Sequence, residues 1–243
     1  MNIIGIMPAT GGIGATTTSI KLASVLKNTL LIDFNNGFRT IDILINETDI
    51  IYDIYDFTYN IDNNLVIKNT NNFDFIAASQ SKDIEDFNLD NLKEKLLSLD
   101  YEIIIIDLPR NSQYIKKISY MLTELIMISD FEDTSKRNLE KIIYESFKNN
   151  RNIKLGIILN KIQNLDIKEI TEFSDNLKIA KLLEIIEFKE EFSEFYDDDF
   201  NNLNRFINDE EIKSKDLNRL STDSKIRKDK NEKRTWIQKF FGN

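Results

Sequence analysis

Ile3-Ile4-Gly5-Ile6-Met7-Pro8-Ala9-Thr10-Gly11-Gly12-Ile13-Gly14-Ala15-Thr16-Thr17-Thr18 is the stretch that decides how this chain reads. Its first half is a short apolar run, as in a buried strand. A glycine cluster follows, and over residues 19–26 the apolar positions recur at helical spacing. Strand, glycine turn, helix is the layout of a phosphate-binding loop. Glycines let the backbone wrap an anion, while loop N–H groups and the helix N-terminus supply a positive field. Thr16, at the helix start, stands where a Mg²⁺-binding hydroxyl is expected. The strict pattern G-x-x-x-x-G-K-S/T is not met. Ala9 replaces the first glycine, and Ala15 replaces the lysine that reaches the β/γ-phosphates. Four of the chain's 7 glycines fall between Gly5 and Gly14, which favours a phosphate loop over an ordinary strand–turn–helix. On these residues alone both readings stay open.

Composition narrows the chemistry. At 243 residues, a single α/β domain with a sizeable core is the default. Cysteine and histidine are both absent, which removes disulfides, thiolate and imidazole nucleophiles and the usual zinc sites. Metal chemistry must then use oxygen ligands, which favours Mg²⁺. The N-terminus runs straight into a strand with no basic region before it, so no secretory signal is expected. No apolar run approaches the ~20 residues of a membrane span. The expected location is the cytoplasm. Net charge is −9, unevenly spread: residues 225–243 carry seven Lys and Arg against two acids, +5, which leaves −14 on the remainder. An acidic body with a basic tail implies a separate anionic partner for the tail.

Apolar strand-like runs alternate with helical patterns almost throughout. Strands are expected at 2–7, 30–34, 73–77, 102–108, 124–129, 154–159 and 182–188, and helices at 17–26, 50–57, 88–97, 112–121, 134–147 and 167–177. Such alternation predicts a doubly wound, mainly parallel sheet with helices on both faces. The unbroken run Ile103-Ile104-Ile105-Ile106 fits a central strand buried on both sides. Ligands bind such sheets at the carboxyl ends of their strands, where the glycine loop, Asp33 and Asp107 all fall. Each acid alone reads more readily as a turn or cap residue; the joint placement of loop and acids points to a site.

The second informative stretch is Leu31-Ile32-Asp33-Phe34-Asn35-Asn36-Gly37-Phe38-Arg39-Thr40-Ile41-Asp42. Strand-Asp-x-Asp-x-Gly-Leu-Arg-x-x-Asp is the switch pattern of the MinD/ParA group of P-loop ATPases, which this chain resembles. Tyr52-Asp53-Ile54-Tyr55-Asp56 resembles that group's following helix, and Ala77-Ala78-Ser79-Gln80-Ser81-Lys82-Asp83 its P-A-S-Q-x-x-D segment. Residues 101–109, ending Asp107-Leu108-Pro109, resemble its second acidic strand, and Leu159-Asn160-Lys161 its N-R/K element beside the adenine. The resemblance runs in unbroken order over residues 2–188. It implies ATP or ADP with Mg²⁺, held by Thr10, Gly11, Gly12, Ile13, Gly14, Ala15, Thr16, Thr17, Asp33, Asp107, Pro109 and Asn160. The metal would fall to Thr16, Asp33 and Asp107, partly through water. A homodimer is implied as well.

The departures matter as much. The group's loop reads K-G-G-x-G-K-T, with a front lysine that crosses a nucleotide-sandwich dimer; here the two lysine positions are Thr10 and Ala15. The switch acid that positions the attacking water falls on Asn35, and the glycine after the second acidic strand on Asn111. A loop reading G-G-x-G-A-T resembles the CpaE/TadZ branch, whose members help localise pilus assembly, although the receiver-like domain usual in that branch is not seen here. Phosphoryl transfer relies on positioning and charge stabilisation. Each such loss costs on the order of 2.7–4 kcal/mol, or 10²–10³ in rate. The expectation is a chain that binds ATP and turns it over poorly or not at all, a pseudo-ATPase. An active MinD-like ATPase and a ParA-like partition protein are its rivals. Arg39 and Arg110 are candidates for the missing charge, each with the plain alternative of a solvated arginine.

Beyond residue 188, Phe192, Phe195, Tyr196 and Phe200 interleave with acids, as in a core-facing helix or a docking surface. Leu203, Phe206, Ile207, Leu217 and Leu220 predict one more covering helix with a break. Residues 1–220 are thus expected to form the domain, 221–232 a charged linker and 233–243 a tail. On a helix, Trp236, Ile237, Phe240 and Phe241 share one face, with Lys233, Arg234 and Lys239 towards its edges. That arrangement suits an anionic membrane surface, and it resembles the C-terminal membrane-targeting helix of MinD. A helix docked on its own domain or on a partner is the alternative. The expected location is peripheral, on the inner face of the cell membrane, with a pilus-assembly or division-type protein partner. An acidic body argues against nucleic acid.

Overall fold

A computed structural model describes residues 1–47, 49–59, 61–162, 167–187 and 201–210. Its elements alternate as β1 (Asn2–Pro8), α1 (Ala15–Val25), β2 (Thr29–Asp33), α2 (Ile41–Leu44), α3 (Ile54–Thr58), α4 (Asn63–Val66), β3 (Lys68–Asn69), β4 (Asp74–Ile76), α5 (Leu89–Ser98) and β5 (Ile103–Asp107). They continue as α6 (Ser112–Ile118), β6 (Glu124–Ser129), α7 (Asp133–Asn149), β7 (Lys154–Ile162), α8 (Ile167–Asn176), β8 (Ala180–Glu187) and α9 (Asn201–Ile207). The sheet order is β3-β4-β2-β5-β1-β6-β7-β8. Every described pairing is parallel except β3 with β4. The doubly wound architecture is as expected, with an antiparallel edge strand added.

Burial explains the order. Parallel strands need helical crossovers that cover both faces, so central strands are apolar without alternation. Ile104, Ile105 and Ile106 in β5 are all buried, as are Leu30, Leu31 and Ile32 beside them in β2. Each such side chain contributes about 1.5–3 kcal/mol, so a polar substitution in this layer would unseat the sheet's centre. Pairing register then sets the functional edge. Asp33 lies opposite Asp107, and Asp107 opposite Ile6, two residues before β1 ends at Pro8. Both acids and the glycine loop therefore emerge at one end of three adjacent strands.

Local signals account for the shifts from expectation. The helix expected at 50–57 begins only at Ile54, because Asp53 caps it. Its carboxylate accepts from the Tyr55 and Asp56 amides, and Asp56 returns the bond to the Asp53 amide. The last turn of the helix expected at 112–121 tightens to 3₁₀ over Ser119–Met121. α9 is the covering helix expected around Leu203 and Phe206, both buried. Buried Glu184 of β8 accepts from the Asn202 and Leu203 amides at its start. Leu217, Leu220, the aromatics 192–200 and the tail 233–243 lie outside the described residues. Among the described residues, no helix is long and apolar enough to cross a membrane.

Candidate functional site

The loop between β1 and α1 turns on two glycines in left-handed conformation, Gly12 at φ +74 and Gly14 at φ +85. A side-chain-bearing residue pays roughly 1–2 kcal/mol for that region. At Gly14 space is short as well, since a Cβ would stand 2.7 Å from Asn160 Nδ2. Gly14 is also the residue that precedes α1, an 11-residue helix whose first-turn amides receive no side-chain cap. Uncapped amides at a helix start are what an anion takes up.

Beside the loop sits the acid pair. Asp33 is 1 % exposed and Asp107 0 %. Asp107 Oδ2 accepts from Thr16 Oγ1 at 2.8 Å and from Asn35 Nδ2 at 2.7 Å; its Oδ1 accepts from Ser19 Oγ at 2.6 Å. The Asn35 amide also donates to Asp33 Oδ1 at 3.0 Å, so one neutral side chain bridges both carboxylates. Asp33 takes further bonds from the backbone amides of Asn35, Thr40 and Ile41. Burial and the neighbouring Asp33 charge push the Asp107 carboxyl up to about 7, against the pull of its three donors. Burial also raises Asp33.

Two adjacent buried carboxylates with raised proton affinity are a standing demand for a cation. Mg²⁺ is commonly held by one or two carboxylates with phosphate and water oxygens completing its shell. The oxygen donors Thr16, Asp33 and Asp107 fit that pattern. Among the described residues no group of three or more acids, histidines or cysteines could hold a metal by itself. The metal reading thus depends on a ligand that brings oxygens of its own.

Flanking contacts fix the loop's outer edge. Asn160 Nδ2 donates to the Ile13 carbonyl at 2.8 Å, and Lys161 Nζ to the Gly12 carbonyl at 2.6 Å. Lys161 reaches there from a left-handed backbone, φ +62, at the end of β7. On the opposite flank, Asn138 Nδ2 donates to the Ala9 carbonyl at 2.8 Å. Thr10 Oγ1 bonds Asp130 at 3.3 Å and the Ser135 hydroxyl at 3.0 Å. Ala15 is packed in the core at 7 % exposure. Thr17 and Pro109 are half-buried at the margins of the loop and of β5.

Of the candidate cations, Arg39 is neither solvated nor free: its Nε lies 2.9 Å from Asp42 Oδ2 with the side chain largely buried. Arg110 is exposed, and its Nη1 is 3.9 Å from where a Cβ on Gly11 would stand. The switch segment is tied to its neighbours. Ser79 N donates to Asn36 Oδ1 at 3.1 Å, Gly37 N to the Ser79 carbonyl at 2.8 Å, and Tyr114 Oη to Asp83 at 2.7 Å.

The structure therefore brings Thr16, Asp33, Asn35 and Asp107 into direct contact and places Asn160 on the loop itself. Ser19, Asp130 and Ser135 escape sequence reasoning. Ser19 carries a usable signal, three residues beyond Thr16 on one helix face. Asp130 carries a weaker one, as an acid just past the end of a buried strand.

Strand order, glycine loop and strand-end acids define a P-loop NTPase-type α/β fold. No protein-family model matches the chain. The septum site-determining protein MinD of Helicobacter pylori is 28% identical over 203 residues, 76% of this chain and 74% of that protein. Escherichia coli K12 MinD is 29% identical over 157 residues, covering 58% of this chain and 57% of that protein, so the match spans just over half of that relative's length. Among solved structures, a plasmid partition protein from Borrelia burgdorferi superposes with TM-score 0.70 at 23% identity, covering 85% of this chain and 96% of that one. A putative plasmid partition protein from the same organism, bound to AMPPNP, gives 0.64 at 22%, covering 95% and 99%. The MinD cell division protein of Aquifex aeolicus gives 0.65 at 20%, covering 91% and 98%. The chain is homologous to the MinD/ParA-type P-loop ATPases.

Proposed function

We propose that this chain binds ATP with Mg²⁺ at the 10–17 loop, hydrolyses it poorly or not at all, and serves as a homodimeric, membrane-associated positioning or scaffold protein. The observation that carries the reading is the Asn35 amide between Asp33 and Asp107. The metal-holding pair is kept beside a left-handed glycine loop, while the carboxylate that would orient an attacking water is replaced by a neutral donor. Thr16, Asp33 and Asp107 would hold the metal, which when bound screens phosphate charge. The loop amides would cradle the phosphates, and Asn160, which already holds the loop, stands on the adenine side. Exposed Arg110, near Gly11, and Lys161, on the Gly12 carbonyl, would add positive charge at the loop. The AMPPNP carried by a Borrelia neighbour supports nucleotide binding in this fold.

Residues 233–243 serve in this reading as the membrane-targeting segment, with Lys233, Arg234 and Lys239 facing anionic headgroups and Trp236, Ile237, Phe240 and Phe241 entering the interface. Four apolar side chains at ~1.5–3 kcal/mol each are offset by ordering about ten residues at roughly 1–2 kcal/mol apiece, so one tail is marginal and two in a dimer hold. The cargo proposed is pilus-assembly machinery, on the G-G-x-G-A-T loop; a division-type partner is the alternative. Two assays on full-length protein test this. Mg-ATP binding by calorimetry is expected with turnover far below that of family ATPases, and family-like turnover overturns the pseudo-ATPase reading. Pelleting with anionic vesicles is expected, and is lost in Trp236→Glu with Phe240→Glu. Failure of the wild type to pellet overturns the membrane reading. Salt-sensitive duplex binding would instead identify a partition protein.

A further inference from the structure

Just beyond Asp33 the chain exposes an unusual density of apolar surface. Phe38 is 81% exposed, Ile43 73%, Leu44 57% and Ile51 81%, all within 14 residues of sequence. Large apolar side chains gathered in one exposed segment mark a surface that something covers. The covering group must also suit its charge: residues 38–53 hold four carboxylates (Asp42, Glu47, Asp49, Asp53) against Arg39, net −3. A second copy of the same face would meet it charge against charge. An anionic membrane would be repelled in the same way.

One segment of the chain has the opposite character. Residues 233–243 carry Lys233, Arg234 and Lys239 with no acid, net +3, and offer Trp236, Ile237, Phe240 and Phe241. The 22 residues between Glu210, the last described residue, and Lys233 can span up to roughly 75 Å at ~3.3–3.6 Å each, so reach does not limit the choice of face. Tethering also raises the segment's effective concentration to about the millimolar range, enough for a weak contact to be occupied.

We propose that the basic aromatic segment 233–243 docks on the acidic stretch 38–53 of its own chain, through its exposed apolar side chains Phe38, Ile43, Leu44 and Ile51, so that this docking face and the lipid surface compete for the same tail. The face is wired to the candidate nucleotide site. Asp33 Oδ2 accepts from the amides of Thr40 and Ile41, each at 3.2 Å, and Ile41 begins the α2 turn that carries Ile43 and Leu44. A ligand that pulls on Asp33 therefore pulls on the docking face. The inference rests on the reading of 233–243 as an amphipathic tail, and its test separates docking from membrane binding.

Trp236 is the chain's one tryptophan, so its fluorescence reports on the tail alone. Acrylamide quenching of full-length protein without lipid is compared with the free peptide of residues 233–243. The expected result is quenching several-fold weaker in the protein and independent of protein concentration. Ile43→Lys with Leu44→Lys is expected to raise it to the peptide's level. Phe38→Ser with Ile51→Ser, on separate exposed positions, is expected to do the same. Quenching equal to the peptide's in the wild type overturns the proposal even where vesicle pelleting succeeds. Protection that both variants leave intact places the tail elsewhere and overturns it too. Protection that grows with protein concentration assigns the tail to a second copy and overturns docking within one chain. Protection released by the variants in a protein that never pellets leaves docking standing and removes the membrane reading.

Discussion

Asn35→Asp puts a third carboxylate where one amide now bridges two. Asn35 Nδ2 lies 2.7 Å from Asp107 Oδ2 and 3.0 Å from Asp33 Oδ1. The substitution removes two hydrogen bonds to carboxylates, each contributing roughly 1.5–3 kcal/mol. Kept ionised, the new group would repel each neighbour by about 5 kcal/mol at ~3 Å and an effective dielectric of ~20. Holding a proton is cheaper: at pH 7 an acid of ordinary pKa ~3.9 does so for about 4 kcal/mol, and the protonated form regains one donated bond. Asn35 is half-buried, so water moderates the penalty, and about 2–4 kcal/mol is the expected loss. For a chain of this length that is a fall of roughly 5–15 °C in Tm. The sign of the pH dependence follows from linkage. The new carboxyl's folded pKa is raised above its unfolded one, so the penalty is full near neutrality and fades as pH falls towards ~4. A divalent cation would relieve it at pH 7. Thermal unfolding of wild type and variant at pH 7 and pH 5, in chelator and in Mg²⁺, is the assay. A variant as stable as wild type at pH 7 in chelator, or a deficit unchanged at pH 5, would refute the reasoning.

The wild-type pair makes its own prediction. With Asp107 raised to about 7 by burial and by Asp33, the folded chain keeps a proton that the unfolded chain has lost, so metal-free stability falls as pH rises from ~4 to ~7, by up to ~1.4 kcal/mol per unit. Urea midpoints across that window check it, and Asp107→Asn is expected to give the flatter profile. Gly14→Ala forces a side chain into φ +85 within 2.7 Å of Asn160 Nδ2, for roughly 1–2 kcal/mol from the backbone alone. Loss of Mg-ATP binding in calorimetry should exceed the loss in Tm. Gly156→Ala is the contrasting case, because its Cβ would press on the Leu183 side chain between β7 and β8, remote from the loop. About 1–3 kcal/mol of stability should go, read by urea unfolding, with nucleotide affinity unchanged.

How much of this was legible follows the length of each signal. Continuous runs such as Ile103–Ile106 announce their strands because both faces are buried. Lys68–Asn69 is only two residues of edge strand, half or fully exposed, and leaves no pattern to read. α2 and α4 span four residues each, less than the window in which helical periodicity shows. The late start of α3 had a readable cause, the carboxylates three apart at Asp53 and Asp56. Within the site, Thr16, Asp33 and Asp107 were legible because strand ends converge at one edge of a parallel sheet. The bonds from Ser19 to Asp107 and from Thr10 to Asp130 and Ser135 were not, since they arise from how α1 and α7 settle against their strands. Arg39 read as a replacement charge or a solvated arginine, and its commitment to Asp42 depends on a turn geometry that spacing does not encode.

The three departures from the MinD/ParA-type pattern look independent in the sequence, but a charge argument connects them. Taking lysines from positions 10 and 15 removes two positive charges from the neighbourhood of a buried acid pair, and an aspartate at 35 would then leave three carboxylates with neither lysine. Asparagine at 35 relieves this, because its amide adds no charge and donates to both acids. The other two positions have been put to use within the protein: Thr10 bonds Asp130 and Ser135, and Ala15 is packed into the core. Asn35 and the two acids share one hydrogen-bond network, where effects are not additive, so an aspartate returned alone meets neighbours that now depend on its amide. A lysine at 15 must displace packing, and an aspartate at 35 meets two like charges. Only a change that restores cation and carboxylate together can recover the lost electrostatics without stranding a charge. In physical terms the acid pair is balanced by an amide bridge, with Lys161 Nζ at the Gly12 carbonyl and Arg110 near Gly11 as cations beside the loop.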